Sequence, residues 1–278
     1  MITGQTKLFG ILADPVGHVR TPEVMNAYFA SHGADAVLVP LHVKADDLEA
    51  VWGGLRRLRN LGGLVVTLPH KSAILALCDH VGAAARQVGA ANAVRRDADG
   101  RMHCDMFDGR GFVEGLLRQG YDPAGRRVLL VGAGGAASAI AFALAAQGCV
   151  GLTIANRTAA KAEALAAKVK QPFPACDVRA GPAEPGNHEL IINATSLGLR
   201  ADDPLPLAAD KLTPEMIVAE VIMKPETTAL LARAAQCGCS LHHGRHMLDA
   251  QVRLLADFIG AVPMAKAQRE AAIAGPTR

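Results

Sequence analysis

The stretch 126-RRVLLVGAGGAASAIAFALAAQG-148 decides the fold class. It reads as an apolar strand, a glycine-rich turn and an alanine-rich helix. Gly132, Gly134 and Ala137 stand in GxGxxG/A spacing at the strand-to-helix junction. The first glycine permits a tight turn, and the second lets a pyrophosphate approach the backbone. Ala137 permits close helix–strand packing, while Gly135 and Ala136 open the helix and offer free N–H groups to phosphate. In this setting the motif predicts a dinucleotide site.

The next strand, 151-GLTIANRT-158, ends about 22 residues past Gly134. An acidic residue there would hold a ribose 2′-hydroxyl. Instead the chain carries Asn156, Arg157 and Thr158, with Lys161 one turn on. Arg and Lys suit a 2′-phosphate, so NADP is expected rather than NAD. The plain alternative is a pair of solvated charges. It is weakened because cations in a first helical turn oppose the helix dipole.

Outward from this unit the pattern repeats. Strands are expected at 189-ELIINATSLGL-199, 216-MIVAEVIM-223 and 239-CSLHHG-244, and helices at 159-AAKAEALAAKV-169 and 227-TTALLARAAQCG-238. Upstream, 7-KLFGILA-13, 36-AVLVPLHV-43 and 61-LGGLVVTLP-69 read as strands. The segments 22-PEVMNAYFASHG-33, 46-DDLEAVWGGLRRLRN-60 (with an Asp N-cap) and 71-KSAILALCDHVGAAARQVG-89 read as helices. A hairpin with a two-residue turn is expected at Asp99-Gly100. This alternation argues for an α/β fold with largely parallel sheets. The amphipathic 246-HMLDAQVRLLADFIGAVP-263 has no following strand and is expected to return to the first domain. The last fifteen or so residues read as a mobile tail.

Bulk composition excludes other classes. Net charge is +3, from 29 basic and 26 acidic residues, with no basic block and one Trp for base stacking, so nucleic-acid binding is not expected. Six cysteines lack a CxxC pair or zinc spacing, which predicts reduced thiols and no metal. Cys237 and Cys239 would share a face if that stretch were a strand. No signal peptide and no membrane-length apolar run is visible, so a cytoplasmic protein is expected.

Eight ordered motifs between about residue 8 and residue 260 resemble the shikimate/quinate dehydrogenase family. They are 14-DPVGHVRTPEVMN-26, 65-VVTLPHK-71, 89-GAANAV-94, 104-CDMFDGRG-111, 131-VGAGGAASA-139, 156-NRTAAK-161, 192-INATSLG-198 and 242-HHGRHMLDAQ-251. The resemblance implies two α/β domains flanking a cleft. Residues 1–107 plus 244–278 would bind a small cyclic polyol, and 108–243 would form a Rossmann domain for NADP. Lys71 and Asp108 would face the substrate carbinol, Lys71 relaying the proton and Asp108 orienting it. Thr67, Asn92 and Gln251 would hold ring hydroxyls. Thr195, Met223 and Gly244 would join Gly132, Gly134, Gly135, Ala136, Asn156, Arg157, Thr158 and Lys161 at the cofactor. A monomer or homodimer would fit, and a non-catalytic NADP-binding regulator is the rival reading.

The chain departs from the family at the end that holds the substrate carboxylate. The usual S-x-S-P is Val19-Arg20-Thr21-Pro22, and the usual N-V-T begins with Val65. Met106 and Phe107 precede Asp108 where N-T is usual, and Met223 replaces a tyrosine. Hydroxyl and amide donors are thus replaced by apolar groups. A carboxylate left without hydrogen bonds costs several kcal/mol, about a hundredfold in affinity. Poor turnover of shikimate is therefore expected, unless Arg20 or Arg245 moves in to pair the carboxylate. His18 and His246 lie in the same two motifs.

Overall fold

The computed structural model describes residues 1–17 and 19–262. His18 and the expected mobile tail lie outside these, apart from the tail's approach. Two compact units emerge: Met1–Phe107 with the chain from Val252, and Asp108–Gln251. The second exchange point falls inside the last helix, whereas the family resemblance places it at 243/244.

The first unit carries a six-stranded sheet in the order β2-β1-β3-β5-β6-β4. Its strands are β1 (Lys7–Ala13), β2 (Ala36–His42), β3 (Leu61–Val66), β4 (His80–Val81), β5 (Ala93–Arg96) and β6 (Met102–Asp105). Helices α1 (Thr21–Ser31), α2 (Leu48–Leu55), α3 (Ile74–Leu77) and α4 (Ala83–Val88) accompany it. β1 pairs in parallel with β2 and β3, but β5 is antiparallel to both β3 and β6, so this sheet is mixed. Pro40, which cannot donate to a ladder, lies on the edge strand β2, where the loss is tolerated.

Two local expectations are corrected. The stretch 71–89 is not one helix. Asp79 accepts a hydrogen bond from the Met102 amide at 2.7 Å, and His80–Val81 pairs with β6 as β4. Tertiary pairing at a sheet edge thus overrides the helical periodicity, and Gly82 sits where a Cβ would strike the Asp105 carboxylate. The hairpin turn is a three-residue one, Ala98-Asp99-Gly100. The Asp97 amide donates to the Arg101 carbonyl, the Gly100 amide donates to the Asp97 carbonyl, and Gly100 takes φ +87°.

The second unit begins with α5 (Asp108–Arg118). It continues through β7 (Arg127–Val131), α6 (Gly135–Ala146), β8 (Gly151–Ala155), α7 (Ala159–Lys170), β9 (Asp177–Ala180) and β10 (Leu190–Asn193). Then come β11 (Ile217–Glu220), α8 (Ala229–Gln236), β12 (Ser240–His242) and α9 (Arg245–Ile259). The order β12-β11-β10-β7-β8-β9 is wholly parallel. Strand order reverses at β7, between β8 and β10, which is the doubly wound arrangement. Continuous apolar runs suit strands covered on both faces, and Val128, Leu129, Leu130 and Val131 are all buried. The edge strand β9 is absent from the sequence reading. Cys237 ends α8 and Gly238 turns left-handed at φ +78°, so Cys237 and Cys239 do not share a strand. All six cysteines are free thiols.

Candidate active site

In the first unit, main-chain bonds gather the sequence-nominated residues into one frame. β3 ends at Val66, whose amide donates to the Asn92 carbonyl at 2.8 Å. The Thr67 amide donates to Leu12 at 3.0 Å, and the Lys71 carbonyl accepts from the Ala91 amide at 2.8 Å. Lys71 is half-buried in this loop. Its neighbour His70 is buried and its Nε2 lies 2.7 Å from the Val43 carbonyl, which pins the loop to the end of β2. The sequence reading passed over His70; a histidine beside the lysine, just past an apolar strand, was the available signal.

Asn92 is buried, and its Oδ1 accepts the Phe107 amide at 2.8 Å, so part of its capacity is structural. Phe107 stacks on Phe258 at a centroid distance of 4.9 Å, and Arg95 covers the other ring at 5.4 Å. Val65 and Met106 are buried, Val19 is half-buried, and Thr21 opens α1 with Pro22 behind it. Arg20 lies 3.6 Å from Glu23.

In the second unit, Asp108 is the first residue of α5 and is buried, where the helix dipole favours its charge. Gln251 on α9 donates from Nε2 to Asp108 Oδ1 at 2.8 Å. The contact depends on glycines that the sequence reading did not single out. A Cβ on Gly111 would lie 2.1 Å from Gln251 Cγ, and one on Gly115 would lie 2.8 Å from the His246 carbonyl. Gly111 and Gly115, four apart on one helical face, let α9 approach closely enough for the hydrogen bond. Arg245 pairs with Glu226 at 2.9 Å.

The glycine-rich turn follows β7. Gly132 takes φ +124°, and a Cβ there would lie 2.7 Å from the Ala194 carbonyl. Only glycine suits both constraints. Gly134 faces open space within 4 Å of its Cβ direction, and α6 starts at Gly135 with its first amides unpaired by side chains. At the end of β8, Asn156 Nδ2 donates to the Thr158 carbonyl at 2.9 Å, and Arg157, Thr158 and Lys161 are exposed. Thr195, half-buried, follows Ala194 on the loop that meets Gly132. Gly244 packs on the Ile222 carbonyl, 2.3 Å from its Cβ direction, next to Met223.

Glu220 and His242, both buried in this unit, are shifted from their ordinary ranges. Burial pushes Glu220 up to about 7, against hydrogen bonds from Asn193, Ile222, Thr228 and Val221. Burial, then the charge of His246, brings His242 down to about 4.

With this geometry in place, comparison with known proteins decides the family. The substrate-binding domain of shikimate dehydrogenases matches residues 11–94, and the shikimate/quinate 5-dehydrogenase profile matches residues 117–198. The NADP(+) shikimate dehydrogenase of Rubrobacter xylanophilus is 39% identical over 281 residues, covering 97% of this chain and 96% of that one. The chain belongs to the shikimate/quinate dehydrogenase family.

Among solved relatives, a shikimate dehydrogenase in complex with NADP+ superposes with TM-score 0.89 at 31% identity, covering 100% of this chain and 98% of that one. The ligand-free 5-ketofructose reductase of Gluconobacter sp. strain CHM43 superposes with TM-score 0.84 at 33% identity, covering 95% and 96%. This family member is an NADP-dependent oxidoreductase acting on CH–OH groups. The open backbone at Gly134, the α6 amides and the cationic group at the end of β8 fit that cofactor. No helix among the described residues is long and apolar enough to cross a membrane. Among the same residues, no group of three or more His, Cys, Asp or Glu is placed to hold a metal.

Proposed function

We propose that this shikimate/quinate dehydrogenase homologue catalyses reversible hydride transfer between NADP and a secondary hydroxyl of a shikimate-like or quinate-like cyclic polyol, turning over shikimate itself poorly. The observation that carries the chemistry is the buried Asp108 carboxylate, held by Gln251 across the glycine face of α5. An enzyme that moves a proton while hydride moves needs a fixed acid–base pair.

In this reading Lys71 relays the hydroxyl proton at its Nζ, and Asp108 orients the lysine and the hydroxyl. Asn92, Thr67 and the oxygen of Gln251 meet further hydroxyls. The bound cofactor supplies the hydride acceptor. Gly132, Gly134, Gly135 and Ala136 receive its pyrophosphate, Asn156, Arg157, Thr158 and Lys161 its 2′-phosphate, and Thr195, Met223 and Gly244 its other end.

The substrate argument rests on Val19, Val65, Met106, Phe107 and Met223, which remove donors from the carboxylate end, while Thr21 keeps a hydroxyl there. Arg20 and Arg245 each stand beside a carboxylate of the chain itself, Glu23 and Glu226, and would have to leave it to bind the substrate's. The same rebuilding admits a polyhydroxy ketone with no carboxylate, the kind of compound named for the Gluconobacter reductase. A non-catalytic regulator has no support among the relatives given above, which are named as dehydrogenases or a reductase.

The test follows NADP+ reduction with shikimate, quinate and other cyclic polyols, and NADPH oxidation with polyhydroxy ketones. Shikimate should trail the best substrate by about a hundredfold in kcat/KM. Lys71→Met should lower kcat by about 10²–10⁴ on that substrate. Efficient turnover of shikimate would sink the pocket argument, and an active Lys71→Met the relay.

A further inference from the structure

One buried carboxylate of the second unit has no part in the chemistry above. Glu220 ends β11 and is 0% exposed. Its Oε1 accepts from the amides of Val221 (3.0 Å) and Ile222 (3.2 Å), and its Oε2 from Thr228 Oγ1 (3.0 Å). Asn193 Nδ2 lies 3.1 and 3.0 Å from the two oxygens. Asn193, also 0% exposed, carries the link onward. Its Nδ2 donates to the Leu197 carbonyl at 3.0 Å. Its Oδ1 accepts from the amide and the hydroxyl of Thr195 at 3.1 and 2.7 Å. Thr228 in turn accepts from the Leu231 amide at 3.3 Å and caps α8.

One side chain therefore ties together the loop after β10, the loop after β11 and the start of α8. The loop after β10 borders the cofactor turn, with the Ala194 carbonyl against Gly132, and the loop after β11 lies against Gly244, proposed above for the cofactor's other end. A dinucleotide crosses the sheet where strand order reverses. With its 2′-phosphate end at β8, its nicotinamide end falls beside β10 and β11.

We propose that Glu220 is a positioning residue for the nicotinamide end of the cofactor, fixing Thr195 through Asn193 and Met223 through the Val221 and Ile222 amides. The claim rests on the cofactor contacts given under the proposed function. Every group that meets the carboxylate is a donor, so a glutamine would set its own N–H₂ against a donor. Asn193 would have to flip to answer it, and Thr195 would then lose its acceptor.

The test compares Glu220→Gln and Glu220→Asp in the full chain. It measures the KM of NADP+, kcat, NADPH affinity by fluorescence, melting temperature, and affinity for adenosine 2′,5′-bisphosphate, a probe of the adenosine end alone. Glu220→Gln should bind the bisphosphate as wild type does and lose about tenfold or more in NADPH affinity or kcat, as expected for one charge-assisted bond. Glu220→Asp should recover most of that loss. If Glu220→Gln does not fold, Thr228→Val, which keeps the shape while deleting one donor and the α8 cap, serves the same comparison, with the melting temperature reading the loss of the cap.

A variant with a lowered melting temperature and wild-type kinetics would overturn the proposal. So would equal weakening of NADPH and the bisphosphate. A wild-type chain that binds neither ligand would overturn the cofactor contacts as well.

Discussion

Gly111→Ala isolates the contact that holds Asp108. The new Cβ would lie 2.1 Å from Gln251 Cγ. Carbon atoms rest at about 3.5–4.0 Å, so the Gln251 side chain must retreat by roughly 1.5 Å. That breaks its 2.8 Å bond to Asp108. A hydrogen bond to a charged group contributes about 1.5–3 kcal/mol. At about 1.4 kcal/mol per tenfold, kcat/KM should fall by roughly 10- to 100-fold. Stability should change less. Alanine in a helix interior gains about 1 kcal/mol over glycine, and overpacking costs about 1–3 kcal/mol. The assay is a double-mutant cycle with Gln251→Ala, read in kcat/KM. Once Gln251 is truncated, its Cβ stands 3.3 Å from the alanine methyl, and the clash is mostly relieved. Gly111→Ala should then be nearly silent in the Gln251→Ala background. Losses that multiply would refute the idea that both changes act on one bond.

Other perturbations test the remaining parts. Gly132→Ala should destabilise the fold and abolish NADPH binding, because φ +124° and the Ala194 carbonyl both exclude a side chain. Gly134→Ala should melt like wild type yet weaken NADPH in a fluorescence titration, since its methyl meets no atom of the chain within 4 Å and would stand where the pyrophosphate is proposed to lie. Arg157→Ala should raise the KM of NADP+ by about 10- to 100-fold and leave that of NAD+ nearly unchanged. The two buried titratable groups impose opposite pH slopes. The raised Glu220 stabilises the fold below about 4.5 and loses that contribution as pH rises to about 7. The depressed His242 stabilises it above 6.5 and loses its contribution as pH falls to about 4. Each is worth up to about 3.5 kcal/mol at ~1.4 kcal/mol per unit. Melting temperatures at pH 5 and pH 8 should therefore favour Glu220→Gln over wild type more at pH 8, and His242→Asn more at pH 5.

The readable parts of the sequence were those governed by local rules. The strand, glycine turn and helix around Gly132 are set by neighbours a few residues away, so spacing alone revealed them. Helix α9 was legible from its apolar period, whereas Lys71 was nominated by the family resemblance and not by its place past a strand. What escaped depends on partners far along the chain. Met102, His103 and Cys104 draw 79–82 out of a helix, and β9 forms only because β8 offers it an edge. Glu220 was seen only as part of a strand, because its five donor contacts arrive from residues 193, 221, 222 and 228 after folding. Gly111 and Gly115 were visible as a spacing, but the helix they admit lies about 130 residues away.

Beside the His70 side chain, three bonds that fix the Lys71 loop, Val66 to Asn92, Ala91 to Lys71 and Asn92 to Asp105, are between main-chain atoms. No substitution other than proline at 66, 91 or 92 deletes those three. Exchanges at 19, 65 and 106, the positions proposed to face the substrate, would leave those main-chain bonds in place. The separation makes this unit a ready scaffold for directed evolution: a library confined to those positions varies what is recognised at little risk to the loop beside it.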